Sequence, residues 1–100
     1  MKADYDSKVD ALLIQLLRPG LCDGAVEIDD TYCRVETRKG RVASIELLSP
    51  ADHLDLLERA AEQLGLDHEA LLATAEAALA APDRAVTVEV ARSATSAAAA

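Results

Sequence analysis

The chain has no tryptophan and no phenylalanine, and Tyr5 and Tyr32 are its only aromatic residues. A core organised around large rings is therefore excluded. Leu, Val, Ile and Ala must fill it instead, and a small domain with such a core gains from burying further surface against another chain. Cysteine is limited to Cys22 and Cys33, at a spacing that fits neither a zinc pattern nor a redox pair, so two reduced thiols are expected. Among 4 glycines there is no glycine-rich phosphate loop. Long apolar runs are missing as well. No stretch nears the roughly 20 residues that span a bilayer, and Lys2, Asp4, Asp6 and Asp10 interrupt any signal-like segment at the N-terminus. A soluble, cytoplasmic protein without membrane contact is expected.

Positive charge is scarce too. The 100 residues carry 10 Lys/Arg against 18 Asp/Glu, a formal net charge of -8. Phosphate neutralisation supplies most nucleic-acid affinity, so this balance argues against a nucleic-acid partner and favours a basic protein. The imbalance is uneven: residues 1–49 hold 7 basic and 9 acidic side chains, residues 50–100 hold 3 and 9. The local basic cluster Arg38-Lys39-Gly40-Arg41 reads as a solvated hairpin tip.

The patterning that is present predicts an α+β fold: an antiparallel β-meander of about five strands, two helices packed on one face, and a C-terminal strand. A single domain is expected over residues 1–92, with the meander in 1–49, the helices in 50–81 and the last strand in 85–91; residues 93–100 form a tail of small residues. Strands are expected at 2–5, 11–17, 24–28, 32–38 and 41–48. The second is apolar on both sides, with Leu12, Ile14 and Leu16 on one face and Leu13 and Leu17 on the other. Lys39-Gly40 suits a tight hairpin turn. Ser49-Pro50-Ala51-Asp52 is a helix-start signal with Ser49 as N-cap, and Leu54, Leu57, Ala61 and Leu64 form the buried stripe that follows. Gly65 closes that helix. Asp67 caps a second, whose apolar face is Leu71, Leu72, Ala75 and Leu79.

No catalytic residue, metal ligand or cofactor is expected. Tyr5, Asp6 and Asp10 form the most reactive constellation, a candidate ligand site in which two carboxylates could hold a cation or act as acid and base; capping of the strand corner between them is the simpler role. His53 and His68 lack the spacing of a helical metal pair and are expected at the surface. Asp29-Asp30 reads as a turn. Two stripes exceed what one small sheet requires: Leu13 with Leu17, and Val86, Val88 and Val90. They are candidate subunit contacts, the last strand being suited to extend a neighbour's sheet.

Met1-Lys2, Tyr5-Asp6, Asp10-Ala11-Leu12, Ile14 and the run from Val42 to Leu48 give residues 1–49 a further meaning. This half resembles a small bacterial family, the domain-of-unknown-function family 2283. Its members usually carry an aromatic residue where Leu13 stands, and residues 66–100 have no counterpart in the family pattern. The resemblance implies a small antiparallel β domain, oligomeric, without assigned catalytic residues, and an association with small toxin-like proteins. The expected function is a non-enzymatic, homo-oligomeric protein-interaction module. The alternative is a small-ligand binder or enzyme with Tyr5, Asp6 and Asp10 beside a subunit interface.

Overall fold

Residues alternate between the two sides of a β-strand, and here that alternation builds one antiparallel sheet. The computed structural model describes residues 1–89. Its strands are β1 (Lys2–Asp6), β2 (Ala11–Gln15), β3 (Gly24–Asp29), β4 (Cys33–Arg38), β5 (Arg41–Leu48) and β6 (Ala85–Thr87), lying in the order β3-β4-β5-β2-β1-β6. β3, β4 and β5 form the meander, β1 and β2 a hairpin, and β5 joins the two by pairing with β2. Lys39 and Gly40 both adopt positive φ, 52° and 78°, which is the two-residue turn whose twist matches the strands on either side.

One row of cross-strand partners shows how the core is laid out. Val86, Ala3, Ile14, Ile45, Val35 and Val26 follow one another across all six strands. The four central members are fully buried. A second row, Leu12, Leu47 and Cys33, is buried beside it. Each large aliphatic side chain removed from water in these rows contributes about 1.5–3 kcal/mol before conformational entropy is set against it.

Two helices cover this face. α1 (Asp55–Leu64) lies against β3 and α2, and α2 (His68–Ala80) lies against β1, β2 and β6. The α+β arrangement, with both helices on one side of the sheet and a C-terminal strand, is thus as the patterning predicts. Asp67 caps α2 by accepting from the Ala70 amide at 3.2 Å. Gly65, at φ 69°, closes α1, and the Leu66 amide donates back to the Ala61 carbonyl at 2.9 Å.

Several boundaries and faces differ from expectation. β2 stops at Gln15 rather than residue 17, because the Leu16 and Leu17 amides both turn onto the Ala43 carbonyl and break the ladder. Ser49 is no side-chain cap. It sits in the left-handed region at φ 46°, and Pro50–Asp52 is a single 3-10 turn separated from α1. The break rotates α1, so that Leu56 and Ala60 join Leu57 and Ala61 in the core while Leu54 and Leu64 pack only partly. On α2 the buried residues are Ala70, Leu71, Thr74, Ala75 and Ala78, with Leu72 and Leu79 half-buried. Val90 and the tail 93–100 lie outside the described residues, as does the end of the expected strand 85–91.

Candidate functional site

A β-hairpin joins the first two strands, and its turn brings Tyr5, Asp6 and Asp10 together. The Tyr5 hydroxyl donates to Asp10 Oδ1 at 2.7 Å, and Asp6 Oδ1 accepts from the Lys8 amide at 3.0 Å. The second contact is the side-chain turn that Asp favours at such corners. Accepting its bond leaves Asp10 engaged with the phenol, and this bond is also the main reason that the Tyr5 phenol is pushed up from its ordinary value. Burial adds to the shift, followed by the charges of Asp10, Asp83 and Asp6. A phenol held in its protonated form this way is a donor at neutral pH and makes a poor general base.

The same hairpin meets a distant turn. Asp83 Oδ1 accepts from the Ser7 amide at 2.9 Å and Oδ2 from the Ser7 hydroxyl at 2.7 Å, while the Asp83 amide donates to the Tyr5 carbonyl at 2.7 Å. Those Ser7 bonds, the hydroxyl first, hold the Asp83 carboxyl below its usual range. An open depression of about 440 Å³ lies here, lined by Asp4, Tyr5, Asp6, Lys8, Asp83, Arg84 and Ala85. Ser7 and Asp83 escaped the sequence reading because they lie far apart in the chain, and neither sits in a motif. Among the described residues, no three His, Cys, Asp or Glu side chains converge where a metal ion could be held.

A second polar group has formed around the turn between β3 and β4. Asp29 Oδ2 accepts from the Tyr32 and Thr31 amides at 2.8 and 3.0 Å, which lowers its carboxyl, with help from the charges of Arg59 and His53. His53 is not a free surface histidine. Its ring stacks on Tyr32 with centroids 3.9 Å apart and planes 19° apart. Its Nδ1 lies 2.9 Å from the Ser49 carbonyl oxygen, which can only accept, so Nδ1 carries a proton. Arg59 donates to the Ile28 carbonyl at 2.8 Å. These contacts tie the start of α1 to the edge of the sheet, and the buried Cys33 thiol beside them is pushed up to about 11, by burial first and then by Asp29.

The sheet face away from the helices is mixed. Leu13 is opposite Asp4 on one neighbouring strand and Glu46 on the other. With Leu17, Cys22, Glu36 and Arg38 it borders an open depression of about 180 Å³. Arg38 is half-buried rather than a solvated tip, and its Nε donates to the Leu21 carbonyl at 3.0 Å. Val86 packs against the chain's own core, and Val88 exchanges both backbone hydrogen bonds with Met1, at 2.8 and 2.9 Å. Both valines therefore serve their own sheet.

The helical layer carries the larger excess of negative charge. Between residues 50 and 81 it carries Asp52, Asp55, Glu58, Glu62, Asp67, Glu69 and Glu76, all exposed, against Arg59 alone. Arg59 is already engaged with the Ile28 carbonyl. No helix among the described residues is long and apolar enough to cross a membrane. No family model, curated protein or solved structure matches the chain.

Proposed function

We propose that the chain is a non-enzymatic protein-interaction module whose acidic helical layer engages a basic protein. The observation that supports this most directly is the exposed run of acids from Asp52 to Glu76, answered within the layer only by Arg59. Such a field steers a cationic partner into encounter and selects against acidic ones. A small, positively charged, toxin-like protein fits that description. The engaged state of Tyr5, Asp6 and Asp10 within their own hairpin favours this reading over an enzyme.

A homo-oligomer is part of the proposal, built on the helix-free face around Leu13 and Leu17, since Val86 and Val88 are used within the chain. Sedimentation velocity across a wide concentration range tests it, and a strict monomer removes it.

Affinity capture on the full chain, with the retained proteins identified, tests the main proposal. The expected product is a basic protein that elutes as salt rises and is lost when Glu58, Glu62 and Glu69 are replaced by Lys. A partner that is acidic, or one whose retention ignores salt, would remove the reading.

A further inference from the structure

We infer that the outward face of α2 is the part of the acidic layer that docks the partner, and that the segment it takes is a basic amphipathic helix. This rests on the interaction-module reading and adds the place and the shape of the ligand. A surface helix of a monomer normally shows one apolar stripe and one polar face. α1 obeys that rule; its exposed residues are Asp55, Glu58, Arg59, Glu62 and Gln63. α2 does not. Its inner side already buries Ala70, Leu71, Thr74, Ala75 and Ala78 against the sheet. Apolar residues nevertheless continue round the outside, with Leu72 and Leu79 half-buried on one flank and Ala73 and Ala80 exposed on the other. The charged exceptions on this side are Glu69 and Glu76, both exposed.

At 100° per residue, Glu69 and Glu76 stand almost in line, about two turns apart. The leucines border this line on one side and the alanines on the other. Alanine lets another backbone approach closely, at the short end of the roughly 8–10 Å separation of packed helices. The seam thus offers a shallow apolar track with a carboxylate in each repeat. A partner helix with aliphatic residues three and four apart, and Lys or Arg at the same two-turn interval, matches both features.

The charges also discriminate among occupants. A second copy laid along α2 would bring Glu69 and Glu76 against their own counterparts, within a layer whose only basic residue, Arg59, is committed elsewhere. An anionic membrane surface is repelled by the same carboxylates. An extended strand gains nothing here, because the backbone groups of a helix interior are already paired.

The test is selection from a display library of random peptides, part on a helix-stabilising scaffold and part unconstrained, against the full chain. Binders are then measured on three variants. Ala73→Arg with Ala80→Arg adds bulk and like charge at two exposed positions, and Arg is a good helix former, so circular dichroism should be unchanged. Glu69→Gln with Glu76→Gln removes the carboxylates. Thr87→Lys alters an exposed position on the opposite side of the sheet.

The expected result is enrichment of helical peptides with Lys or Arg two turns apart. Their affinity should fall at least ~10-fold on the arginine variant and ~3–10-fold on the glutamine variant, with a flatter salt dependence, and should be unchanged on Thr87→Lys. Basic peptides that bind with salt sensitivity yet ignore both α2 variants would overturn this inference and leave the interaction-module reading standing. Enrichment of extended peptides would also overturn it, as would concentration-dependent self-association that the arginine variant abolishes. A library that yields no salt-sensitive binder removes both.

Discussion

Ser7 gives Asp83 two hydrogen bonds, one from its amide at 2.9 Å and one from its hydroxyl at 2.7 Å. They fasten the first hairpin to the turn that leads into β6, an edge strand of only 3 residues. Asp83 itself sits at φ 64°, a conformation that Asp and Asn tolerate better than most residues. Its carboxyl is held below the ordinary value of 3.8, so the folded state prefers the charged form. The stabilisation is therefore present above 3.8 and is lost as pH falls through the lower, folded value. Asp83→Asn keeps the backbone conformation but removes the titration. Its melting temperature should lie below that of the parent by a constant amount above about pH 5, and the two curves should converge in acid. Ser7→Ala should speed exchange of the Asp83 amide, which donates to the Tyr5 carbonyl beside this contact. A gap that persists unchanged in acid would show that the carboxylate is not responsible.

The two cysteines should react very differently. Cys33 is 2% exposed with its thiol pushed up to about 11, whereas Cys22 is half-buried at the foot of β3. Thiolate is the reactive form. At about pH 8 a disulfide reagent should label Cys22 in the native protein and reach Cys33 only on unfolding. Equal rates at the two thiols would contradict the burial of Cys33.

The Tyr32–His53 stack should show up as coupling rather than as a single large loss. Offset ring pairs contribute about 0.5–1.5 kcal/mol beyond the area they bury. A double-mutant cycle with Tyr32→Ala and His53→Ala should return a coupling energy in that range. Tyr32→Phe should preserve most of it, because the ring and not the hydroxyl makes the contact. Strictly additive single losses would argue that the rings are neighbours without an interaction.

Ser49 is a place where the sequence can be improved. It adopts φ 46° and ψ 55°, and its side chain caps nothing. Left-handed geometry costs an ordinary residue about 1–2 kcal/mol, and Asn tolerates it better because its side chain bonds locally. Ser49→Asn is expected to raise stability by about 0.5–1 kcal/mol in urea unfolding, with an unchanged slope. A loss of stability would mean that the serine hydroxyl has a role in the folded protein.

Strand periodicity was the most legible part of this chain, because alternation places Cys33, Val35, Ile45 and Leu47 on one face wherever the strand begins. The Asp67 cap and the Gly65 stop were legible for a similar reason, since each acts within one turn. Ser49-Pro50 misled because the same residues suit a 3-10 turn, and the break after it rotated the buried face of α1 to include Leu56 and Ala60. The hairpin acids could be named in advance, but Asp83 could not, since only the pairing of β6 with β1 brings it to Ser7. His53 gained its stack on Tyr32 in the same way, through a contact set by tertiary packing.

Leu12 and Leu13 are neighbours in the chain on opposite sides of the sheet, and they should separate the two faces energetically. Leu12 is fully buried beneath the helices, paired in the ladder with Tyr5 and Leu47. Truncation there removes transfer energy and leaves a cavity, so Leu12→Ala should cost about 2–5 kcal/mol. Leu13 is half-buried between Asp4 and Glu46 on the helix-free side. In a monomer, Leu13→Ala should cost about 1 kcal/mol or less, as expected for a partly exposed cross-strand contact. If a second copy covers this face, the cost of Leu13→Ala rises with protein concentration, because the melting temperature of an associating protein depends on mass action. Melting both variants at low and at high concentration therefore tests the sheet's two faces together. A concentration-dependent loss confined to Leu13→Ala supports the homo-oligomer on the helix-free face, and a loss that is the same at every concentration rules it out there.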